Sequence, residues 1–544
     1  MLSNPTAHAL TVRVIHQYDD QVPTFYQTFP VGNRSTGEAL KEEVPYWTPE
    51  NPIFIDAPPG TGKTSFVYNV LLPRAIEKGG NILIVSNRIA LSSQQKETIL
   101  KILESPLRRL LTDEGIQKTE DFGVTRVLTY HRLPALLADQ SAKSWLANLS
   151  YVVFDECHFF VADAIFNENC DFYLKLATRC FCQAIRIYMT ATSWDILVPL
   201  AEAEQRNYRS PLFNPPIFYR TFYRYFFEPI NQRYKLRFFD KLADLLPFIQ
   251  EKPDEKWVVF VDQKEAGQQF SDNLGKLSTY LDSDGKGSTF WNELVKNEKF
   301  SSQVLVTTAV LDCGVNLIDA QLTNIVVVTD NRTSLIQMAG RKRFKGEEKI
   351  NLWVCNLDQR VAAARAVRYR KWLTWYDQLE RCTSSEAKMK IAQAIWSEND
   401  SSLFHLFRLG NGTLFSNRLA YYAIQRKLRT YSKILSGETT FQDLVSEWLG
   451  VESPSPQDQR AQLEAFYNTW GEQHLPPERQ AELRRIICNL YASTGHKDPQ
   501  PRRAETMKYS ALSNRLAEMN LPFRIVNGQT GWILQSTIAQ EENL

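Results

Sequence analysis

APPGTGKT, residues 57–64, decides how this chain is read. PIFID (52–56) before it is a short apolar run of strand type, and about 62–78 after it has the length of a helix. Glycines at 60 and 62 let backbone amides turn inward around an anion, at a helix N-terminus that already favours negative charge. Lys63 is placed to reach the outer phosphates of a bound polyphosphate, and the Thr64 hydroxyl to ligate Mg²⁺. Further on, VVFDECH (152–158) ends a buried-type strand in two acids. Asp155 suits the metal shell and Glu156 the polarising of an attacking water, which is what phosphoryl transfer asks of a protein once geometry is set.

Outward from this pair, the chain alternates short β-branched or aromatic runs with helix-length segments. NILIVS (81–86), TRVLTY (125–130), YVVFD (151–155) and IRIYMT (185–190) form one series. WVVFVD (257–262), QVLVTT (303–308), NIVVVTD (324–330) and INLWVC (350–355) form a second. Runs apolar on both sides fit strands covered on both faces, joined by crossover helices in a parallel sheet. The fold class expected is α/β: two tandem parallel-sheet domains, 51–215 and 216–356, the second entered through a linker strand in RTFYRYFFEPI (220–230). Residues 1–50 read as an extension with a candidate first strand, TVRVIH (11–16), and a polar, turn-rich remainder. Beyond 357 the apolar spacing becomes helical, in an accessory region 357–455 and a region 456–544. The latter ends in a candidate helix–hairpin unit (504–519, then FRIV–NGQTG–WILQ), a weak winged-helix signal.

Composition bounds the partners. The chain has 544 residues, 63 Lys+Arg against 61 Asp+Glu and a net charge of +2, so a polyanion would have to meet a local basic surface. RYRKWLTWY (368–376) and NRLAYYAIQRKLRTYSK (417–433) interleave bases with aromatics, as sequence-blind strand binders do, although aromatics at helical spacing also build cores. Eight scattered cysteines lack zinc-ligand spacing, and no apolar stretch reaches about 18 residues. With no leader-like start, these features lead to the expectation of a cytoplasmic protein with reduced thiols and no membrane partner.

The ordered motifs add a resemblance. APPGTGKT, DECH, MTAT (189–192), TTAVLDCGVNL (307–317) and QMAGRKR (337–343) resemble those of a superfamily-two DExH-box helicase or translocase, across roughly 50–356. SNRIALSSQ (86–94) and TYHRL (129–133) resemble that family's strand-contacting motifs. The resemblance implies two RecA-like domains with ATP and Mg²⁺ in the cleft between them. Pro59, Gly60, Thr61, Gly62, Lys63, Thr64 and Ser65 would hold phosphates, and Gly314 and Asn316 would complete the nucleotide site. Thr64 and Asp155 would hold the metal. Gln337 would help place the water, and Arg341 or Arg343 would reach the γ-phosphate. His158, Thr190 and Thr192 would couple hydrolysis to domain movement, and Arg88, Thr129 and Thr308 would contact nucleic acid.

The pattern departs from the family at Ala57, where the first glycine is usual. It departs again at Phe344, where the last motif usually has its second arginine, and at Asn316, where Asp is frequent. The partner expected is nucleic acid, DNA ahead of RNA, with the C-terminal helical region a candidate contact for protein subunits. Two rivals stand beside the helicase reading: a double-strand DNA translocase motor of a larger nuclease or defence assembly, and an ATP-switched clamp with little turnover. No nuclease constellation accompanies the C-terminal region.

Overall fold

The computed structural model describes residues 11–15, 24–87, 96, 98–103, 113–208, 221–228, 233–308, 310–311, 315–344, 348–397, 406–410, 413–451, 456–493, 507–528 and 531–537. Its first sheet contains β1 (Thr11–Ile15), β2 (Thr24–Gly32), β3 (Ile53–Asp56), β4 (Asn81–Ser86), β5 (Thr125–Thr129), β6 (Leu149–Asp155), β7 (Ile185–Thr190) and β8 (Phe222–Phe227). The spatial order is β1-β2-β8-β3-β7-β6-β4-β5, and every pairing except β1 with β2 is parallel. The apolar runs are explained by two covered faces. Phe54, Val152 and Phe154 enter one core, while their neighbours Ile53, Ile55, Tyr151 and Val153 enter the other.

The second sheet contains β9 (Tyr234–Phe239), β10 (Lys256–Val261), β11 (Ser278–Leu281), β12 (Val304–Thr307), β13 (Leu322–Val328) and β14 (Ile350–Cys355). Its order is β11-β12-β10-β13-β14-β9, parallel throughout. The two tandem RecA-like α/β units are therefore present, and helices dominate the described residues after β14.

Three details differ from the sequence reading. The stretch taken as turn-rich holds the nine-residue strand β2, hidden in the sequence by Pro30 and Gly32, where its register with β8 shifts. After it, Ser35 and Glu38 cap the helix Thr36–Leu40 reciprocally. The strand expected to link the two domains lies inside the first sheet, between β2 and β3. The third is β9, which pairs with β14 and is masked in the sequence by its basic, aromatic surroundings.

Beyond β14 come the helices Gln359–Arg381, Ser385–Trp396, Arg418–Leu435 and Phe441–Leu449, with a small hairpin, β15 (Phe407–Gly410) and β16 (Thr413–Ser416), between the second and third of these. Trp372, Trp375, Tyr376 and Leu419 pack into the core of the first domain with Phe159 and Leu174. Ile434, Phe441 and Val445 pack into that of the second with Val327 and Leu335. Of the aromatics in the two basic stretches, Trp372, Trp375, Tyr376, Tyr422 and Tyr431 are buried, and Tyr369 and Tyr421 pack half-buried against the first core. The helices Pro456–Trp470, Pro477–Ser493 and Tyr509–Glu518 share a separate core with β17 (His474–Leu475), β18 (Phe523–Asn527) and β19 (Trp532–Ser536). Arg485 Nη1 ties this unit to the Phe238 carbonyl at 2.8 Å.

Arg186 and Glu204 are fully buried in the first domain, joined at 2.8 Å through Nε, with Tyr188 OH donating to the same carboxylate at 2.7 Å. Glu204→Leu strands a buried guanidinium, and urea unfolding is expected to show a loss of about 3–5 kcal/mol. Replacing Arg186 by Met in that background recovers most of the loss, because no charge is then left unpaired.

Candidate nucleotide site and interdomain cleft

Sheet order brings the motifs together. β3, β7 and β6 are neighbours, so the loop after β3, the end of β7 and the end of β6 emerge side by side. Ala57 N donates to Thr190 O at 3.0 Å, and Cys157 N to Met189 O at 3.0 Å. Gly60 and Gly62 both take φ +85, a left-handed conformation that curls the loop into a cradle ahead of the helix starting at Lys63. The Lys63 ammonium is buried and donates to the carbonyls of Ala57 (2.6 Å) and Pro58 (3.2 Å). Thr61 is braced from outside the sequence motif, since Thr36 N and Oγ1 donate to its carbonyl at 2.8 and 3.0 Å. At the base of the loop, Arg224 of β8 pairs with Asp56.

A hydrogen-bond chain crosses the cleft. Arg341 Nη2 donates to Gln337 Oε1 at 2.5 Å, and Gln337 Nε2 to Glu156 Oε2 at 3.4 Å. The same Glu156 oxygen lies 3.2 Å from His158 Nδ1, which is 2.9 Å from Thr190 Oγ1; Thr192 Oγ1 follows at 3.2 Å. Glu156 holds φ +51, a left-handed backbone costing a non-glycine residue roughly 1–3 kcal/mol. Asp155 is buried, accepts from Glu156 N at 3.1 Å, and has its own carbonyl held by Tyr130 OH at 3.0 Å.

The two candidate arginines come from a short extended stretch bridged to Leu317: Leu317 N donates to Arg341 O, and Arg343 N to Leu317 O, both at 2.8 Å. Alternation turns Lys342 onto the Asp319 carbonyl (2.6 Å) and leaves both arginines on the other side. Arg343 Nε donates to Asn316 Oδ1 at 2.7 Å, and its Nη1 lies 3.3 Å from where a Cβ on Gly60 would stand. Arg343 therefore closes over the loop, while Arg341 orients Gln337. Phe344, at the departing position, packs edge-on against Tyr234 and beneath Arg233.

Thr129 ends β5, and Thr308 follows β12, with Thr307 Oγ1 donating to its carbonyl at 3.2 Å. Neither contributes to the chain across the cleft. Arg88 and Gly314 lie outside the described residues. The roles of Thr36, Arg224 and Tyr130 were missed in the sequence because they come from contacts between distant segments, which no local pattern announces. Among the described residues, no cluster of three or more His, Cys, Asp or Glu side chains could hold a metal by itself. The oxygen donors of Thr64 and Asp155 do suit Mg²⁺ shared with a phosphate.

Residues 31–194 match the family model "Type III restriction enzyme, res subunit" and residues 238–344 match "Helicase conserved C-terminal domain". The two matched spans fall on the first and the second α/β domain respectively. Solved structures with a similar course include S. cerevisiae Dbp5 bound to RNA and ADP BeF3, at 14% identity and TM-score 0.44, covering 61% of this chain and 86% of that one. The DUF1998 helicase MrfA bound to DNA shows 15% identity and TM-score 0.44, with 72% and 58% covered. Mycobacterium smegmatis helicase Lhr bound to ssDNA and AMP-PNP shows 13% and 0.39, with 93% and 60% covered. No curated protein matches the sequence. No described helix is long and apolar enough to cross a membrane.

Burial alone would raise the Glu156 carboxyl, but the hydrogen bond and field of His158, with Lys63 and Arg341 near, bring it down to about 2. Burial also lowers Lys63 below the usual lysine value, against the opposing pull of Glu156 and Asp155. Because the folded value of Glu156 is depressed, its stabilisation is complete above the unfolded value of 4.5 and is lost as pH falls toward about 2. Unfolding measured between those limits should show a shallower loss of stability in Glu156→Gln than in the parent chain.

Proposed function

We propose that the chain is an ATP-dependent helicase or translocase of the DExH type, hydrolysing ATP between its two α/β domains and moving along a nucleic-acid strand. The observation that carries this reading is the hydrogen-bond chain from Arg341 through Gln337, Glu156 and His158 to Thr190 and Thr192, which puts second-domain residues opposite the phosphate loop. Residues 59–65 bind the phosphates, and Thr64 and Asp155 would hold Mg²⁺, which would neutralise phosphate charge when bound. Glu156, kept ionised, orients the attacking water with Gln337. Arg343, nearer the loop, contacts the γ-phosphate, and Arg341 serves by positioning Gln337. Both arginines leave when the domains part, so chemistry is tied to closure. Asn316, which already accepts from Arg343, then acts through that arginine, in addition to any contact with the ribose.

The strand runs over the C-terminal ends of the sheets, past Thr129 and Thr308, where hydroxyls and amides meet phosphates without reading bases. DNA is the first partner to test. The first-domain match to a restriction-enzyme subunit favours one rival, a motor on double-stranded DNA that does not unwind it.

ATP turnover and strand displacement on tailed duplexes of DNA and RNA test the reading. Lys63→Ala should lose roughly 100-fold or more in turnover. Arg343→Ala should lose about 10³-fold and Arg341→Ala roughly 10-fold. Wild-type turnover in Lys63→Ala rejects the site. Polynucleotide-stimulated hydrolysis without a displaced strand selects the motor reading.

A further inference from the structure

The helix Arg332–Ala339 and the glycine after it present Thr333, Gln337 and Gly340 to the first domain. Those spacings define one stripe on one helical face. Two of the contacts belong to the cleft already described. Gln337 meets Glu156, and the Gly340 backbone comes so close to Pro59 that a Cβ there would lie 2.6 Å from the proline ring. The third contact lies outside it. Thr333 Oγ1 donates to Asp195 Oδ2 at 3.1 Å.

Asp195 comes shortly after Thr192, and its other oxygen lies 3.1 Å from Arg426 Nε, on the helix Arg418–Leu435. Beside it the Arg332 guanidinium rests on the Trp194 indole. Asp330, just ahead of the cleft helix, pairs with Arg365 and accepts from Tyr431 OH, both from the helical region. The first turn of the helix is therefore where both α/β domains and the helical region meet. A cavity of about 110 Å³ between Asp195, Arg332, Arg426 and Trp448 leaves that turn room to shift.

We propose that Asp195 is a positioning residue for hydrolysis, holding the cleft helix through Thr333 and linking its position to the helical region through Arg426. One helical turn, about 6 Å, separates Thr333 from Gln337, so a carboxylate that fixes the first also fixes the second opposite Glu156. Opening the cleft breaks the Thr333 bond and leaves the carboxylate with Arg426. The helical region thereby feels closure as a change in a charged hydrogen bond, and strain on its helices returns to Gln337 by the same route. The turnover part of this inference rests on the hydrolase reading; the positional part does not.

The full chain tests both parts. Hydrogen exchange over 332–339 with adenylyl imidodiphosphate bound should be at least about fivefold faster in Asp195→Ala and Thr333→Val, and near wild type in Thr333→Ser. ATP kcat with saturating single-stranded DNA should fall roughly 10-fold or more in the first two. KM for ATP should stay within about twofold, since the phosphates rest on residues 59–65. Arg426→Ala should lower kcat and combine non-additively with Asp195→Ala. Unchanged exchange in Asp195→Ala overturns the proposal whatever the turnover. Faster exchange with unchanged kcat removes its role in hydrolysis. Faster exchange in a chain whose wild type hydrolyses no ATP keeps Asp195 as the holder of the helix and rejects the hydrolase reading instead.

Discussion

A carboxylate drawn into the contact between two domains, and so partly out of water, costs free energy unless its oxygens are engaged by donors or cations. Glu156 meets this demand from both sides, with His158 on its own domain and Gln337 on the other. Its left-handed backbone turns the side chain out of the line of β6 and toward the cleft. The remaining contacts read as supports for that arrangement. Tyr130 holds the Asp155 carbonyl, Thr190 holds His158, and Arg341 holds Gln337. Gln337 and both arginines come from the second domain, so the contacts of the cleft need both domains.

The helical region changes what closure costs. Its helices share apolar cores with both α/β domains, so relative motion of the domains must shear or carry these contacts. A body that only decorated the second domain would impose no such cost. Here the polar contacts at Asp195 and Asp330 lie where the three bodies meet, which makes that junction the place where motion and chemistry can exchange free energy.

Much of this was legible in the sequence, for physical reasons. Strands covered on both faces must be apolar throughout, so the central strands of both sheets stood out. Phosphate cradles need glycine at positive φ and a helix start, so residues 57–64 did too. What stayed hidden depends on pairing between distant segments. β2 was masked by Pro30 and Gly32, and β9 by its charged, half-exposed edge residues. No local pattern tells that Thr36 braces Thr61 or that Asp195 meets Thr333. The basic, aromatic stretches were ambiguous because helical spacing is shared by cores and binding faces; packing assigned Trp372, Trp375, Tyr376 and Tyr422 to the core. Spacing could not separate Arg341 from Arg343 either, because both leave the backbone on one side and differ only in what they touch, Gln337 for the first and Asn316 for the second.

The most direct test of the account is the rate of ATP hydrolysis by Gln337→Ala at saturating single-stranded DNA, with ATP binding measured alongside. ATP should still bind while hydrolysis falls roughly 100-fold, because Glu156 loses its partner from across the cleft and Arg341 its anchor. Hydrolysis at the wild-type rate in Gln337→Ala would contradict it.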